Sequence, residues 1–218
     1  MPTRTSPRTR ERDLVKVTRG LFDERGMQDA PVEEIARAAG IARGLIYRHY
    51  SSKEELFVAA VIDYLDELGA AMEAATADEC DPVRRLEALT EAYARYCLQY
   101  PAFLDSCISL MHRPAGELSE IVSESIWLRL GQGMARCLGI SAATLRAGAE
   151  VGVFAVEDPD YLANVLWTQG LGLMHLARIG VGVRSTAPGI PSLFTVEPER
   201  VVRTCIAGAL AAARVSAA

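Results

Sequence analysis

The sequence predicts an all-α protein: an N-terminal three-helix domain containing a helix-turn-helix, followed by a larger helical domain. Three observations carry this. Apolar residues recur at three- and four-residue spacing along most of the chain, with little of the sustained alternation that a half-buried strand needs. Breaks in that pattern fall at the glycine, proline and Asp-Pro signals that stop and start helices. The 218 residues are 50% hydrophobic, 23% charged and 6% aromatic, a globular composition long enough to bury a substantial core.

The elements follow in order. Residues 1–9, with Pro2, Pro7, Arg4 and Arg8, read as a mobile basic arm. A first helix covers about 10–25, with Leu14, Val17, Leu21 and Phe22 as its apolar stripe and Gly26 as its stop. Pro31 suits a first helical position; a short second helix runs from Val32 to Ala39 and ends at Gly40. A third spans Ala42 to Tyr50. Ser52 with Glu55 forms a capping box that opens a fourth, reaching about Thr76. Asp81-Pro82 opens a fifth, from Val83 to about Gln99, and residues 102–112 make a sixth. After Pro114 a helical stretch reaches about Cys137. Gly139 is expected to interrupt it, Ser141 to cap a further short helix to about Ala149, and the Gly152 region to turn. Asp158-Pro159 opens a helix from Pro159 to Ile179. Residues 180–196, rich in Gly, Pro, Ser and Thr, read as a loop, and a last helix covers Pro198 to Arg214. The expected domains are the arm 1–9, a head 10–56 with its helix-turn-helix at 31–50, and a body 57–218.

Charge is unevenly placed. The formal net charge is -5, and the count of Lys+Arg against Asp+Glu gives +2 for residues 1–60 and -7 for 61–218. A negative total argues against nucleic-acid binding only if it is uniform, and here it is not. No run approaches the ~18 apolar residues of a membrane span. The charged N-terminus lacks the apolar segment of a secretory signal, so a cytoplasmic location is expected. Five widely spaced cysteines (Cys80, Cys97, Cys107, Cys137, Cys205) and three histidines (His49, His112, His175) show no disulfide framework and no spaced ligand pattern. No metal or cofactor is expected.

Val32 to Tyr50 carry the function. Two short helices meet at a three-residue turn containing Gly40, as in a helix-turn-helix. Ala36 is small where helices cross, and Ile35, Ala39, Ile41 and Ile46 supply the inward face. Arg43, Gly44, Leu45, Tyr47, Arg48 and His49 remain outward, side-chain types suited to a DNA groove.

The run Leu21-Phe22-Asp-Glu24-Arg-Gly26, Ile35-Ala36, Ala39-Gly40-Ile41, Gly44-Leu-Ile-Tyr47-Arg-His49-Tyr50 and Ser52-Lys53-Glu54-Glu55-Leu56 resembles the N-terminal domain of the TetR family of bacterial transcriptional regulators, over about residues 10–60. The resemblance implies an all-helical dimer with a DNA-binding head and a ligand-binding, dimerising body. It implies that Arg43, Gly44 and Leu45 reach base edges and nearby phosphates, that Tyr47 and His49 hold phosphates, and that Lys53 grips one at the start of the fourth helix. Arg48 is expected to read a base, since Arg takes guanine bidentately. Tyr50 stands where Phe is usual and is expected to pack. Ala30, Pro31, Ala42 and Leu45 stand where the family often has a hydroxyl.

In the body, the helix 159–179 is apolar nearly all round and needs cover on two sides. Trp167, Gly170, Leu171, Met174, Val202, Ile206 and Ala209 are the expected homodimer interface; in the resembled family the last two helices pair with their symmetry mates. Apolar walls with a few polar handles describe ligand pockets, and the candidates are Tyr93, Tyr96, Phe103, Cys107, Met111, His112, Trp127, Met134, Phe154, Trp167 and His175. The expected function is a repressor released from a pseudo-palindromic DNA operator by a small hydrophobic ligand. The alternatives are an all-helical enzyme, for which no G-x-S-x-G, P-loop or paired His/carboxylate spacing is visible, and a constitutive DNA-binding protein without ligand control.

Overall fold

A computed structural model describes residues 7–25, 30–112 and 115–214. The helices are α1 (Pro7–Arg25), α2 (Val32–Ala38), α3 (Arg43–Ile46), α4 (Lys53–Thr76), α5 (Pro82–Gln99), α6 (Pro101–Met111), α7 (Ala115–Ile121), α8 (Glu124–Glu150), α9 (Pro159–Ile179) and α10 (Pro198–Arg214). Two strands, β1 (Val181–Ala187) and β2 (Ile190–Thr195), lie between α9 and α10. The expected helix stop at Gly26 falls outside the described residues, as do residues 1–6 of the expected arm; residues 7–9 already belong to α1.

Several boundaries differ from expectation for physical reasons. Residues 180–196 are not a loop. They form an antiparallel hairpin in which Val181 faces Thr195 and Val183 faces Leu193. Gly189 closes it at φ +77°, a left-handed conformation that a Cβ resists. The strands are largely exposed, so no buried face imposes the alternation that would mark them in the sequence. Helix α8 runs unbroken through Gly139 to Glu150. Ser141 caps nothing there; its hydroxyl donates back to the Cys137 carbonyl at 3.4 Å. The interruption comes earlier, at Val122–Ser123, where the Ser123 carbonyl accepts the N–H groups of Ile126 and Trp127.

The chain forms two compact units, residues 1–66 with 101–133 and residues 67–100 with 134–218. The first is therefore larger than residues 10–56. Its core holds Leu14, Phe22, Ile35, Ile46, Leu56, Tyr64, Phe103 and Leu104. Phe22 packs on Phe57, and Tyr64 on Phe103, with ring centroids 6.2 and 5.8 Å apart. Arg19 pairs with Asp63 at 3.0 Å and lies over the Tyr64 ring, whose hydroxyl donates to Asp23 at 2.6 Å. These contacts lock α1 against α4.

The second unit is built on α5, α9 and α10. Asp81 caps α5, accepting from the N–H groups of Val83 and Arg84, and Asp158 caps α9 by accepting from Tyr161. Leu86, Leu89, Cys97, Cys137, Leu145, Leu171, Met174, Val202 and Cys205 fill the core. Phe154 lies on Gly148, where an added Cβ would sit 2.0 Å from the ring. Among the described residues no helix is long and apolar enough to cross a membrane, and no cluster of His, Cys, Asp and Glu could hold a metal ion.

Candidate nucleic-acid interface

Helix α2 begins after Pro31, which occupies the N-cap (φ -67°, ψ 149°) rather than the first helical position and gives no side-chain cap. The helix ends at Ala38, with Ala39 as its C-cap. Gly40 then turns at φ +65°, and the N–H groups of Gly40 and Ile41 close on the carbonyls of Arg37 and Ala36 at 3.1 and 3.0 Å. This is a left-handed helix stop that glycine enters without steric penalty. Ile35, Ala36 and Ile46 are buried, while Ala39 and Ile41 are half-buried. They fix the angle between α2 and α3.

Helix α3 is shorter than expected. Its α-helical part is Arg43–Ile46, and the winding continues to Tyr50 through tighter bonds from Arg48 N–H to Leu45 O and from His49 N–H to Ile46 O. Ala42, at its N-cap, offers no side-chain acceptor. Arg43, Gly44, Tyr47 and Arg48 are exposed, Tyr47 by 41%. Leu45 and His49 are only half-buried neighbours of this face. They line a hollow with Asp13, Leu14, Val17 and Ile41, so they are less outward than the sequence implied. Arg43 lies over the Tyr47 ring at 5.6 Å and pairs with Glu33 of α2 at 2.7 Å. Tyr50 is buried, and its phenol is pushed up by burial first and then by Glu11, against the pull of Arg129.

Lys53, the first residue of α4, is exposed. Behind it the capping box forms: the Glu55 N–H donates to Ser52 Oγ at 3.0 Å. The Glu55 carboxylate does more than a cap requires. One oxygen accepts from Ser51 N–H, and the other accepts from Ser123 N–H at 3.0 Å, 68 residues away. Burial alone would push this carboxyl up, but the hydrogen bonds from Ser123 and Ser51 outweigh it and hold Glu55 below its usual range. Sequence reasoning found the cap and missed the second contact, for which the sequence carries no local signal. It also passed over Arg37, exposed in the last turn of α2.

The candidate ligand residues do not converge. Tyr93 and Trp167 meet, with ring centroids 5.3 Å apart, and line a cavity of about 50 Å³ with Thr90, Ser141, Gln169 and Gly170. Gly170 makes room for the Tyr93 ring, which an added Cβ would approach to 2.7 Å. The other candidates lie elsewhere. Tyr96 donates its hydroxyl to Glu67. Phe103 and Cys107 are core residues of the first unit, and Met111, His112 and Trp127 are exposed on that unit. Met134 is half-buried, Phe154 packs on Gly148, and His175 is exposed.

The expected dimer residues divide as well. Gly170, Leu171, Met174, Val202 and Ala209 are covered within the chain itself, and Trp167 and Ile206 are half-buried. Among the residues left uncovered on the same helices are Tyr161, Asn164, Thr168, Gln169, Gly172, His175, Leu176, Arg178 and Ile179 of α9, and Arg203, Thr204, Ala207, Gly208 and Ala211 of α10.

Residues 14–60 match the family described as bacterial regulatory proteins, tetR family. Residues 14–60 thus form a TetR-family DNA-binding domain. The match covers the hydrophobic face of α1, the helix-turn-helix and the first turns of α4. The repressor KstR2 of Mycobacterium tuberculosis is 30% identical over 110 residues; the alignment covers 49% of this chain and 55% of that protein, so the chain spans about half the length of this TetR-family relative. In structure, the TetR-family regulator PfmR of Thermus thermophilus is similar with a TM-score of 0.62 at 24% identity, over 91% of this chain and 97% of that one. RolR, solved in complex with resorcinol, is similar with a TM-score of 0.66 at 18% identity, over 96% and 89%. These two show the all-helical TetR fold.

Proposed function

We propose that this chain is a DNA-binding transcriptional repressor that acts in the cytoplasm as a homodimer. The observation that carries this reading is the helix-turn-helix held by Gly40, with Arg43, Tyr47 and Arg48 exposed on one short recognition helix and Lys53 opening the next. Phosphate contacts set orientation and base contacts set sequence. Arg48 is assigned to a base edge; Arg43, Tyr47, His49 and Lys53 to phosphates; and Gly44 and Leu45 to the closest backbone approach. The dimer forms through the uncovered faces of α9 and α10. Gly172 and Gly208 suit it, since an added Cβ at either meets nothing within 4 Å. A two-fold dimer presents its recognition helices to half-sites about one helical turn, roughly 34 Å, apart.

The test uses purified protein and duplexes selected from a random pool. Arg48→Ala is expected to relax sequence preference, losing about 1–3 kcal/mol of discrimination at one position. Lys53→Ala is expected to weaken all sequences alike and lower the salt slope by about 1. Parent-like binding by both variants at physiological salt sinks the assignment. For the dimer, Gly208→Glu is expected to give monomer mass by light scattering.

Effector control is a second part of the proposal. RolR binds resorcinol on a similar fold. In this chain the Tyr93–Trp167 cavity has a charge-free lining, which suits a small neutral molecule. At about 50 Å³ it lies far below the roughly 300 Å³ at which small-molecule sites begin. An effector must therefore open it. The size favours constitutive DNA binding as the second reading, and release of the duplex by a neutral aromatic compound decides between them.

A further inference from the structure

Resting on the reading that the head binds DNA, we propose that Glu55 is a positioning residue through which the α7–α8 joint sets DNA affinity. Glu55 is 4% exposed, and its carboxylate spans two segments of the first unit. Oε2 accepts from Ser51 N–H, one residue past the end of the recognition winding at Tyr50. Oε1 accepts from Ser123 N–H at 3.0 Å, at the break between α7 and α8. A cap alone needs one of these bonds. The second ties the exit of the recognition helix and the phosphate-facing start of α4 to a joint that carries no DNA-contacting residue.

Val122, Ile126 and Leu130 are buried and keep the joint in register. A buried carboxylate that loses one of two N–H donors leaves an under-satisfied charge. The cheapest relief is movement of the Ser51–Lys53 segment, the segment that meets phosphate.

The experiment measures binding of the full chain to a duplex selected from a random pool. Ser123→Pro removes the donor but keeps the carbonyl that starts α8; Ser123→Ala keeps the donor. The expected result is a loss of affinity of about 5-fold or more for Ser123→Pro and for Glu55→Gln, a smaller loss for Ser123→Ala, which keeps the N–H but removes the hydroxyl that also holds the Glu55 carboxyl down, and a double variant no weaker than the weaker-binding single. A Ser123→Pro protein that folds and binds within twofold of the parent overturns the proposal. Losses that multiply in the double variant do so too. Hydrogen exchange on the parent keeps it falsifiable if Ser123→Pro fails to fold. Coupling is reciprocal, so bound duplex must slow exchange in residues 119–126, and unchanged exchange there overturns it. A parent that binds no duplex at all refutes the reading of the head instead.

Discussion

Gly40 and Gly44 stand four residues apart in the head, and replacing each by alanine should move stability in opposite directions. Gly40 sits at φ +65°, and an added Cβ would meet no atom within 4 Å. The whole cost of Gly40→Ala is therefore backbone strain, about 1–2 kcal/mol for a left-handed residue with a Cβ. That is a factor of about 5–30 in the folding equilibrium. For a chain of this size it lowers Tm by about 2–8 °C. Gly44 lies inside α3, is absent from the positive-φ glycines, and also has open space around it. Gly44→Ala should stabilise by about 0.5–1 kcal/mol, because glycine surrenders more backbone freedom in a helix. The assay is urea denaturation followed by circular dichroism at fixed protein concentration, which matters if the folded state is a dimer. Gly40→Asn provides the internal control, since Asn tolerates the left-handed region better than Ala. DNA binding separates the two sites again. Gly44→Ala should bind DNA more weakly despite its gain in stability, if α3 brings its backbone close to a phosphate. Equal stability of Gly40→Ala and the parent, or equal loss at both glycines, would show that backbone conformation does not set the cost at these two positions.

Three further outcomes are expected. Glu33→Ala should tighten DNA binding by a small factor, measured by anisotropy at low salt, because Arg43 now pairs with Glu33 at 2.7 Å and would be released to phosphate. Stability should fall in acid in a way that depends on Glu55. Its folded carboxyl lies below its usual value, so in acid the unfolded chain binds more protons. The contribution is complete above the unfolded value of about 4.3 and is lost as pH falls through the lower folded value; Glu55→Gln should therefore be less stable at pH 7 and show a flatter acid limb. Native protein treated with iodoacetamide at pH 8 should gain one adduct, at exposed Cys80. Cys97 and Cys205 are buried, with thiols pushed up by burial to about 12 and about 11, and Cys107 and Cys137 are also buried. Several adducts on the folded chain would show that the core opens.

What the sequence made legible was set by how local each signal is. Asp81-Pro82, Asp158-Pro159 and Ser52 with Glu55 act on N–H groups two to four residues away, and the caps of α4, α5 and α9 stand where those residues predict. Signals that depend on competition misled. Gly139 costs a helix about 1 kcal/mol, yet α8 is 27 residues long and anchored by buried Cys137, Ala142 and Leu145, so packing overrides propensity. The hairpin 181–195 was hidden because its apolar side chains face solvent, Val183 by 70% and Leu193 by 67%. Without a buried face, its glycine, proline and serine content reads as loop. The Glu55–Ser123 bond joins residues 68 apart, a distance at which no spacing rule operates.

Helix α9 shows the same limit in a form that bears on function. An apolar pattern all round the helix requires cover on two sides without saying which residues take which side. The chain's own packing takes Ala163, Gly170, Leu171, Met174 and Ala177, and Gly170 is drawn inward because the Tyr93 ring occupies the space its side chain would need. The uncovered stripe Tyr161, Asn164, Thr168, Gly172, His175 and Ile179 is more polar than the residues first assigned to the dimer. With Thr204, Ala207, Gly208 and Ala211 of α10 it sets small side chains beside the exposed Tyr161, Leu176 and Ile179. A partner seated over Gly172 and Gly208 would gain from close backbone approach, since the donors of Asn164, Thr168 and Thr204 are already bonded to carbonyls of their own helices. Bulk is therefore the sharper perturbation: Gly172→Leu, which adds apolar surface, should still split the dimer, whereas an interface driven by apolar burial would tolerate it or tighten.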